Sequence, residues 1–161
     1  MKNKYFFIIL CLLLHTINGV SANEIIFQSK DINILDNGNR IISNQGVARS
    51  LDHGLTIKAD NFDYNKNVSI LIATKDAIAT LTNKNIVINA DKLIYNKNLS
   101  TLDAIGNVKI YNSTNDISII SNKIFFDINK THLNKIHAFD QELLAIKEGG
   151  GKSIKAFSTI I

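Results

Sequence analysis

The chain has no proline, no tryptophan and a single cysteine, Cys11, in 161 residues. Without proline, chain reversal falls to Asn, Asp and Gly. One cysteine excludes a disulfide framework, so oxidising surroundings are tolerated but not required. The apolar run Tyr5 to Leu14 has ten residues, half of the about 20 that a membrane-spanning helix needs. No basic cluster is interleaved with aromatics, which removes the usual footprint of a nucleic-acid partner. After residue 23 no segment holds a helical period over three turns, and that excludes a βαβ architecture. The nearest exception, Ala138 to Glu148, still reads as strand.

What is present is Ile, a strand former, and Asn, a turn former. Apolar residues make up 45% of the chain, too many for wholesale disorder and enough for one domain of ordinary size. Charges are scattered: 18 basic against 14 acidic, a net of +4. So small an excess gives at most a weak attraction to anionic surfaces.

Residues 1–22 stand apart. Lys2 and Lys4 precede the apolar run, and the polar stretch after it ends Val20-Ser21-Ala22. This is the layout of a secretory signal peptide cut before Asn23, leaving a single domain over 23–161. Bulky Leu10 before Cys11 argues against lipidation. Without Lys2 and Lys4, basic residues outnumber acidic ones by two.

A repeat organises the rest. Ala59-Asp60-Asn61-Phe62-Asp63-Tyr64-Asn65-Lys66-Asn67 returns 31 residues later as Ala90-Asp91-Lys92-Leu93-Ile94-Tyr95-Asn96-Lys97-Asn98. Ser69/Ser100, Leu71/Leu102 and Ala73/Ala104 match at the same offset, and Ser121-Asn122-Lys123-Ile124-Phe125-Phe126-Asp127 is a worn third copy. A fixed period of this size marks one unit stacked on itself, whose neighbours together make the core.

Within each unit the period is two. Leu102, Ala104, Gly106, Val108 and Ile110 share one face, with Ile105 an exception, and Leu71, Ala73, Ala77, Ala79 and Leu81 share another, interrupted at Lys75. Such alternation is that of half-buried strands. Parity then switches at fixed places: Leu55, Ile57 and Ala59 give way to Phe62 and Tyr64, Ile86, Ile88 and Ala90 to Leu93 and Tyr95, and Ile119 to Ile124 and Phe126. A parity change inside a strand requires a bend or bulge. A corner is therefore expected at each Ala-Asp step, with Asp60 and Asp91 bonding backbone groups there. Turn signals such as Asp36-Asn37-Gly38-Asn39, Asp52-His53-Gly54, Asn65-Lys66-Asn67, Asn83-Lys84-Asn85, Asn96-Lys97-Asn98 and Asn112 to Asp116 separate the strands. Short strands so spaced predict an all-β sandwich, barrel or roll. After Gly149-Gly150-Gly151, Ser153 to Phe157 resembles Thr56 to Asp60, a fourth unit that stops after one strand: either an open sheet edge that joins a partner, or a piece of something longer.

The unit Ile88-Asn89-Ala90-Asp91-Lys92-Leu93-Ile94-Tyr95 followed by Leu102-Asp103-Ala104-Ile105-Gly106-Asn107-Val108, with Asn44-Gln45-Gly46-Val47 earlier, resembles the OstA/LptA family of lipopolysaccharide-transport proteins. The likeness spans about residues 24–148. It implies a folded-over antiparallel β-roll, an OstA-like β-jellyroll of stacked units, open along one side. It also implies a non-enzymatic periplasmic carrier that shields the acyl chains of lipopolysaccharide on the way to the outer membrane, with no cofactor. Its partners would be lipopolysaccharide and other OstA/LptA-like domains, joined by edge-strand pairing. These are a second copy, an inner-membrane anchored relative and the outer-membrane assembly protein; the resemblance fits a free periplasmic bridge protein and the N-terminal periplasmic domain of that assembly protein alike. Departures are Lys75-Asp76-Ala77 in place of Gly-Asn-Val in the second unit, and Ile136-His137-Ala138 in the third.

The expected lipid-facing residues are Ile57, Phe62, Leu71, Ala73, Ile86, Ile88, Leu93, Leu102, Ala104, Val108, Ile110, Ile117, Ile119, Ile124 and Phe126. Alternation marks burial, so a filled core satisfies the same pattern. Tyr64 and Tyr95 fit either an amphipathic rim or a packed ring with a bonded hydroxyl. An enzyme would need a catalytic constellation, such as two carboxylates flanking a cleft. Asp60 and Asp91 recur once per unit at a corner instead. His132, His137 and Asp140 match no familiar metal spacing. Asn67-Val68-Ser69, Asn98-Leu99-Ser100 and Asn129-Lys130-Thr131 fit the glycosylation pattern but arise easily in an Asn-rich chain. A structural or adhesive exported β-repeat protein shares the strands and leader but needs no lipid groove.

Overall fold

The computed structural model describes residues 24–114, 116–129, 143–148 and 152–154, with side chains described for 24–114, 116 and 118–129. Residues 1–22, His132, His137, Asp140 and the three glycines at 149–151 lie outside them. Among the described residues nine strands form one sheet: β1 (Ile25–Leu35), β2 (Arg40–Ser50), β3 (Leu55–Asn65), β4 (Ile70–Leu81), β5 (Ile86–Asn96), β6 (Thr101–Asn112), β7 (Ile117–Asp127), β8 (Leu143–Glu148) and β9 (Lys152–Ile154). Each pairs antiparallel with the next in sequence, and among the described strands β1 and β9 are the two ends of an unclosed sheet. Each strand through β7 is 11 or 12 residues long, about twice the usual length, because each one carries a corner.

The corner lies where parity predicts. Register shifts fall between Lys58 and Asn61, Thr74 and Ala77, Asn89 and Lys92, and Ile105 and Val108. The strands reach it in two ways. In β3 and β5 the buried positions step from Ala59 to Phe62 and from Ala90 to Leu93, changing parity. In β4 and β6 they step from Ala73 to Ala77 and from Ala104 to Val108, keeping parity. The extra residue is absorbed by paired left-handed backbone: Lys75 (φ 62) with Asp76 (φ 49), and Gly106 (φ 78) with Asn107 (φ 49). The irregularities at Lys75 and Ile105 thus mark bulges, and Gly106 belongs to a bulge and not to the inner face. Lys75-Asp76 does the geometric work of Gly106-Asn107 at the cost of two side chains in αL. Among the described residues Asp91 bonds a side chain in place of backbone: its Oδ2 accepts from the Asn107 side-chain amide at 2.9 Å.

The bend lays the two halves of the sheet face to face. Phe27 of β1's first half packs edge-on against Phe62 of β3's second half, with ring centroids 5.9 Å apart. The core is continuous through β7 and consists of Ile, Leu, Val and Ala with Phe62, Tyr64, Tyr95 and Phe126. Turns stack into two rows. Lys66 N–H donates to the Asn39 carbonyl, Lys97 to Ser69 and Ile128 to Ser100 along one row, and Thr82 to Gly54 and Ser113 to Asn85 along the other. The Asn side chains cap these turns: Asn65 Oδ1 accepts from Asn67 N–H and Asn96 Oδ1 from Leu99 N–H.

Candidate functional site: the interior of the roll and its seam

Residues directly paired in an antiparallel sheet point to the same face, so the register defines rows that cross the sheet. One row runs Ile32, Ser43, Phe62, Ala73, Leu93, Ala104 and Ile124. A second runs Ile34, Ile41, Tyr64, Leu71, Tyr95, Leu102 and Phe126, and on the other half a third joins Phe27, Ala48, Ile57, Ala79, Ile88, Ile110 and Ile119. All of the expected inward residues with described side chains, from Ile57 to Phe126, are buried, and all but Ile86 and Val108 fall on these three rows; Ile86 sits on a further row with Leu55 and Leu81, and Val108 pairs with Ser121. Ile117 starts β7, and its side chain lies outside the described residues. Leu55, Ala77, Ala79 and Leu81 belong to the same interior, as the alternation in β3 and β4 already implied.

Under Ser50 and Tyr95 the interior is filled. Ile25, Ala48, Ser50, Leu55, Ile57, Leu71 and Tyr95 enclose a gap too small for a water molecule. Alternation of large and small residues along a row, such as Phe62, Ala73, Leu93 and Ala104, lets the facing halves interdigitate. At the β1 end the rows run out from under cover. Ile32 is 44% and Ile34 65% exposed although both continue inward rows. Beside them Ser43 is fully buried, and its Oγ has no hydrogen-bond partner among the described residues.

Opposite the corner the two rows of turns meet in a seam of side chains. The Tyr95 hydroxyl lies 3.0 Å from Ser50 Oγ and 2.9 Å from His53 Nδ1, and His53 Nε2 lies 3.0 Å from Ser100 Oγ. This chain ties the turn after β2 to the end of β5 and the turn that follows it. Lys97 Nζ stands 3.9 Å from Asp52 Oδ2, and Lys66 Nζ 3.8 Å from Glu24 Oε1. Lys84 Nζ donates to the Ile128 carbonyl and lies 5.7 Å from the Phe126 ring centre. Burial lowers the Lys84 pKa against the pull of Asp127. Burial likewise raises those of Tyr95 and Tyr64, with the Ser50 hydrogen bond opposing it at Tyr95.

Tyr64 and Tyr95 are therefore not rim residues with rings on a surface. Tyr95 is fully buried with its hydroxyl bonded, and Tyr64 is 6% exposed and packs against Phe27. His53, which the sequence marks only as part of a turn, is the middle of the seam. No group of three or more metal-ligating side chains exists among the described residues.

No protein-family model matches the chain, and no curated protein matches it. Among solved structures it is similar to LptH of Pseudomonas aeruginosa, described as the LptA-homologous periplasmic component of the lipopolysaccharide transport device. The TM-score is 0.60 at 10% identity, covering 78% of this chain and 94% of that one. The fold is thus the LptA-like open β-jellyroll, all antiparallel and folded over on itself.

Proposed function

We propose that this chain is a periplasmic, non-enzymatic carrier module that shields the acyl chains of lipopolysaccharide on their way to the outer membrane. The observation that carries the reading is the set of continuous apolar rows of one folded sheet, which open to solvent at Ile32 and Ile34. A ten-carbon stretch of acyl chain costs roughly 8 kcal/mol to expose to water, at about 0.8 kcal/mol per CH₂. An apolar trough offsets that cost without directional bonds, so a chain held there can slide onward. The expected lipid-facing residues are the fifteen from Ile57 to Phe126 named above, with Ile32 and Ile34 added at the open end. The edge of β1, which no described strand pairs, is where another OstA/LptA-like domain would add a strand and continue the trough. The reading is supported by the LptA-like fold and by the leader expected at 1–22.

A second reading, a structural exported β-repeat protein without a lipid ligand, draws on the filled interior beneath Ser50 and Tyr95. Photo-crosslinking separates the two. A benzophenone amino acid replaces Leu102, Ile88 or Ile34, with Asp103 and Asn89 as outward controls, in the presence of lipopolysaccharide. Adducts at the inward positions alone are the carrier's result. Their absence at every position leaves the closed structural protein.

A further inference from the structure

Lysines hold the seam shut. Lys66 and Lys97 occupy the same place in successive units, 31 residues apart, and each reaches a carboxylate beyond its own row of turns, Glu24 and Asp52. Lys84 reaches the other way, to the Ile128 carbonyl. At 3.8 and 3.9 Å the two ion pairs are too long for hydrogen bonds, and the side chains of Lys66 and Glu24 are 37% and 69% exposed. The Lys66–Glu24 pair is readily exchanged for another anion, whereas Lys97 and Asp52, at 12% and 29% exposed, are set deeper. The opposite side of the roll is the corner, a backbone ladder that cannot part without losing hydrogen bonds. Under the seam at Ser50 and Tyr95, the gap enclosed with Ile25, Leu55 and Leu71 is too small for a water molecule. An acyl chain can lie at that depth only if the two lips separate.

We propose that the seam is a lateral entrance gated by the lipid's own headgroup. Phosphate groups draw Lys66, Lys97 and Lys84 away from Glu24, Asp52 and the Ile128 carbonyl, the Ser50–Tyr95–His53–Ser100 chain lets go, and the acyl chains pass inward between the lips. The ligand chemistry is an anionic phosphate ester joined to hydrocarbon, with its phosphate on the lysines and its chains on the inner rows. The inference rests on the carrier reading and adds where the lipid enters and which side chains read its headgroup.

The test uses the full chain with Cys11→Ser, His53→Cys and Ser100→Cys. These place two thiols across the lips and leave every lysine in place. A cleavable bis-maleimide joins them, and uptake of fluorescent lipopolysaccharide is timed. Linking is expected to slow uptake by at least about tenfold, with recovery when the linker is cleaved. Equal rates with and without the link overturn the lateral entrance and leave the carrier reading standing. No uptake by the unlinked and parent chains overturns both. The headgroup part is read from Lys66→Gln with Lys97→Gln, using intact lipopolysaccharide, dephosphorylated lipopolysaccharide and inorganic phosphate as probes. The parent chain is expected to favour the intact lipid by about tenfold, the worth of a good charge-assisted contact. The double variant is expected to lose that preference, and inorganic phosphate not to compete. An unchanged preference in the variant, or competition by inorganic phosphate, overturns the assignment of the lysines to the lipid.

Discussion

His53 Nδ1 and the Tyr95 hydroxyl lie 2.9 Å apart although the two residues stand 42 positions apart in the chain. Tyr95 is fully buried, so removing its hydroxyl leaves Ser50 and His53 short of a partner. Tyr95→Phe is expected to lower stability by about 1 to 2 kcal/mol. Because both residues serve one hydrogen-bonded chain, adding His53→Ala should cost less than the sum of the two single changes. Urea denaturation of the four chains in the cycle measures this.

Alkali should loosen the same seam. Burial raises the Tyr95 pKa above its ordinary 10.0, so the folded state keeps the neutral phenol. The resulting stability is complete below pH 10.0 and is lost as pH rises toward the raised folded value. Urea midpoints compared at about pH 9 and about pH 11 should fall in the parent chain and fall less in Tyr95→Phe. The remaining fall belongs partly to Tyr64, whose pKa burial also raises.

Gly46 holds β1 onto the sheet. A Cβ there would stand 2.5 Å from the Gln28 carbonyl oxygen and 2.7 Å from Ser29 Cα, both backbone atoms that cannot swing aside. Gly46→Ala should cost more than about 2 kcal/mol and expose β1 amides to exchange. Gly38→Ala, where nothing lies within 4 Å of the new atom but φ is +92, should cost only about 1 kcal/mol. Hydrogen exchange of Ile25 to Leu35 distinguishes them.

Ser43 is an apolar position filled by a hydroxyl. Its Oγ is buried and unpartnered among the described residues, between Ile32 and Phe62 on its row. Ser43→Ala should stabilise the protein by about 1 kcal/mol, because the desolvation penalty disappears with the hydroxyl. A thermal melt reads the gain.

Acid should weaken the join between the ends of β2 and β3. Arg40 donates to both Asp63 oxygens, Nε at 2.9 Å and Nη2 at 2.7 Å, and these bonds lower the Asp63 pKa below its ordinary 3.8. That stabilisation is present above pH 3.8 and is lost as pH falls through the lowered folded value. The side chains are 43% and 38% exposed, so solvent screens the pair and the effect is modest. Asp63→Asn should flatten the acid limb of a stability–pH profile.

The sequence by itself determined the strands and the corner. Alternation and its change of parity are properties of a few neighbouring residues, and the 31-residue period writes them three times over. Hence Ala59 to Phe62 and Ala90 to Leu93 could be placed as bends, and Ile57, Leu93 or Leu102 as inward. Two things were decided only by the tertiary structure. One is the two-residue left-handed bulge, which Lys75-Asp76 and Gly106-Asn107 share without sharing residue types; backbone conformation was common to them and side-chain pattern was not. The other is the seam. His53 occurs once, in a turn that reads as ordinary, and meets Tyr95 and Ser100 only because the sheet, bent at its corners and twisted along its length, brings one row of turns over the other. Strand patterning is local and repeats with the chain, but a contact across a folded sheet depends on the twist summed over the strands between, and no window of sequence contains that sum.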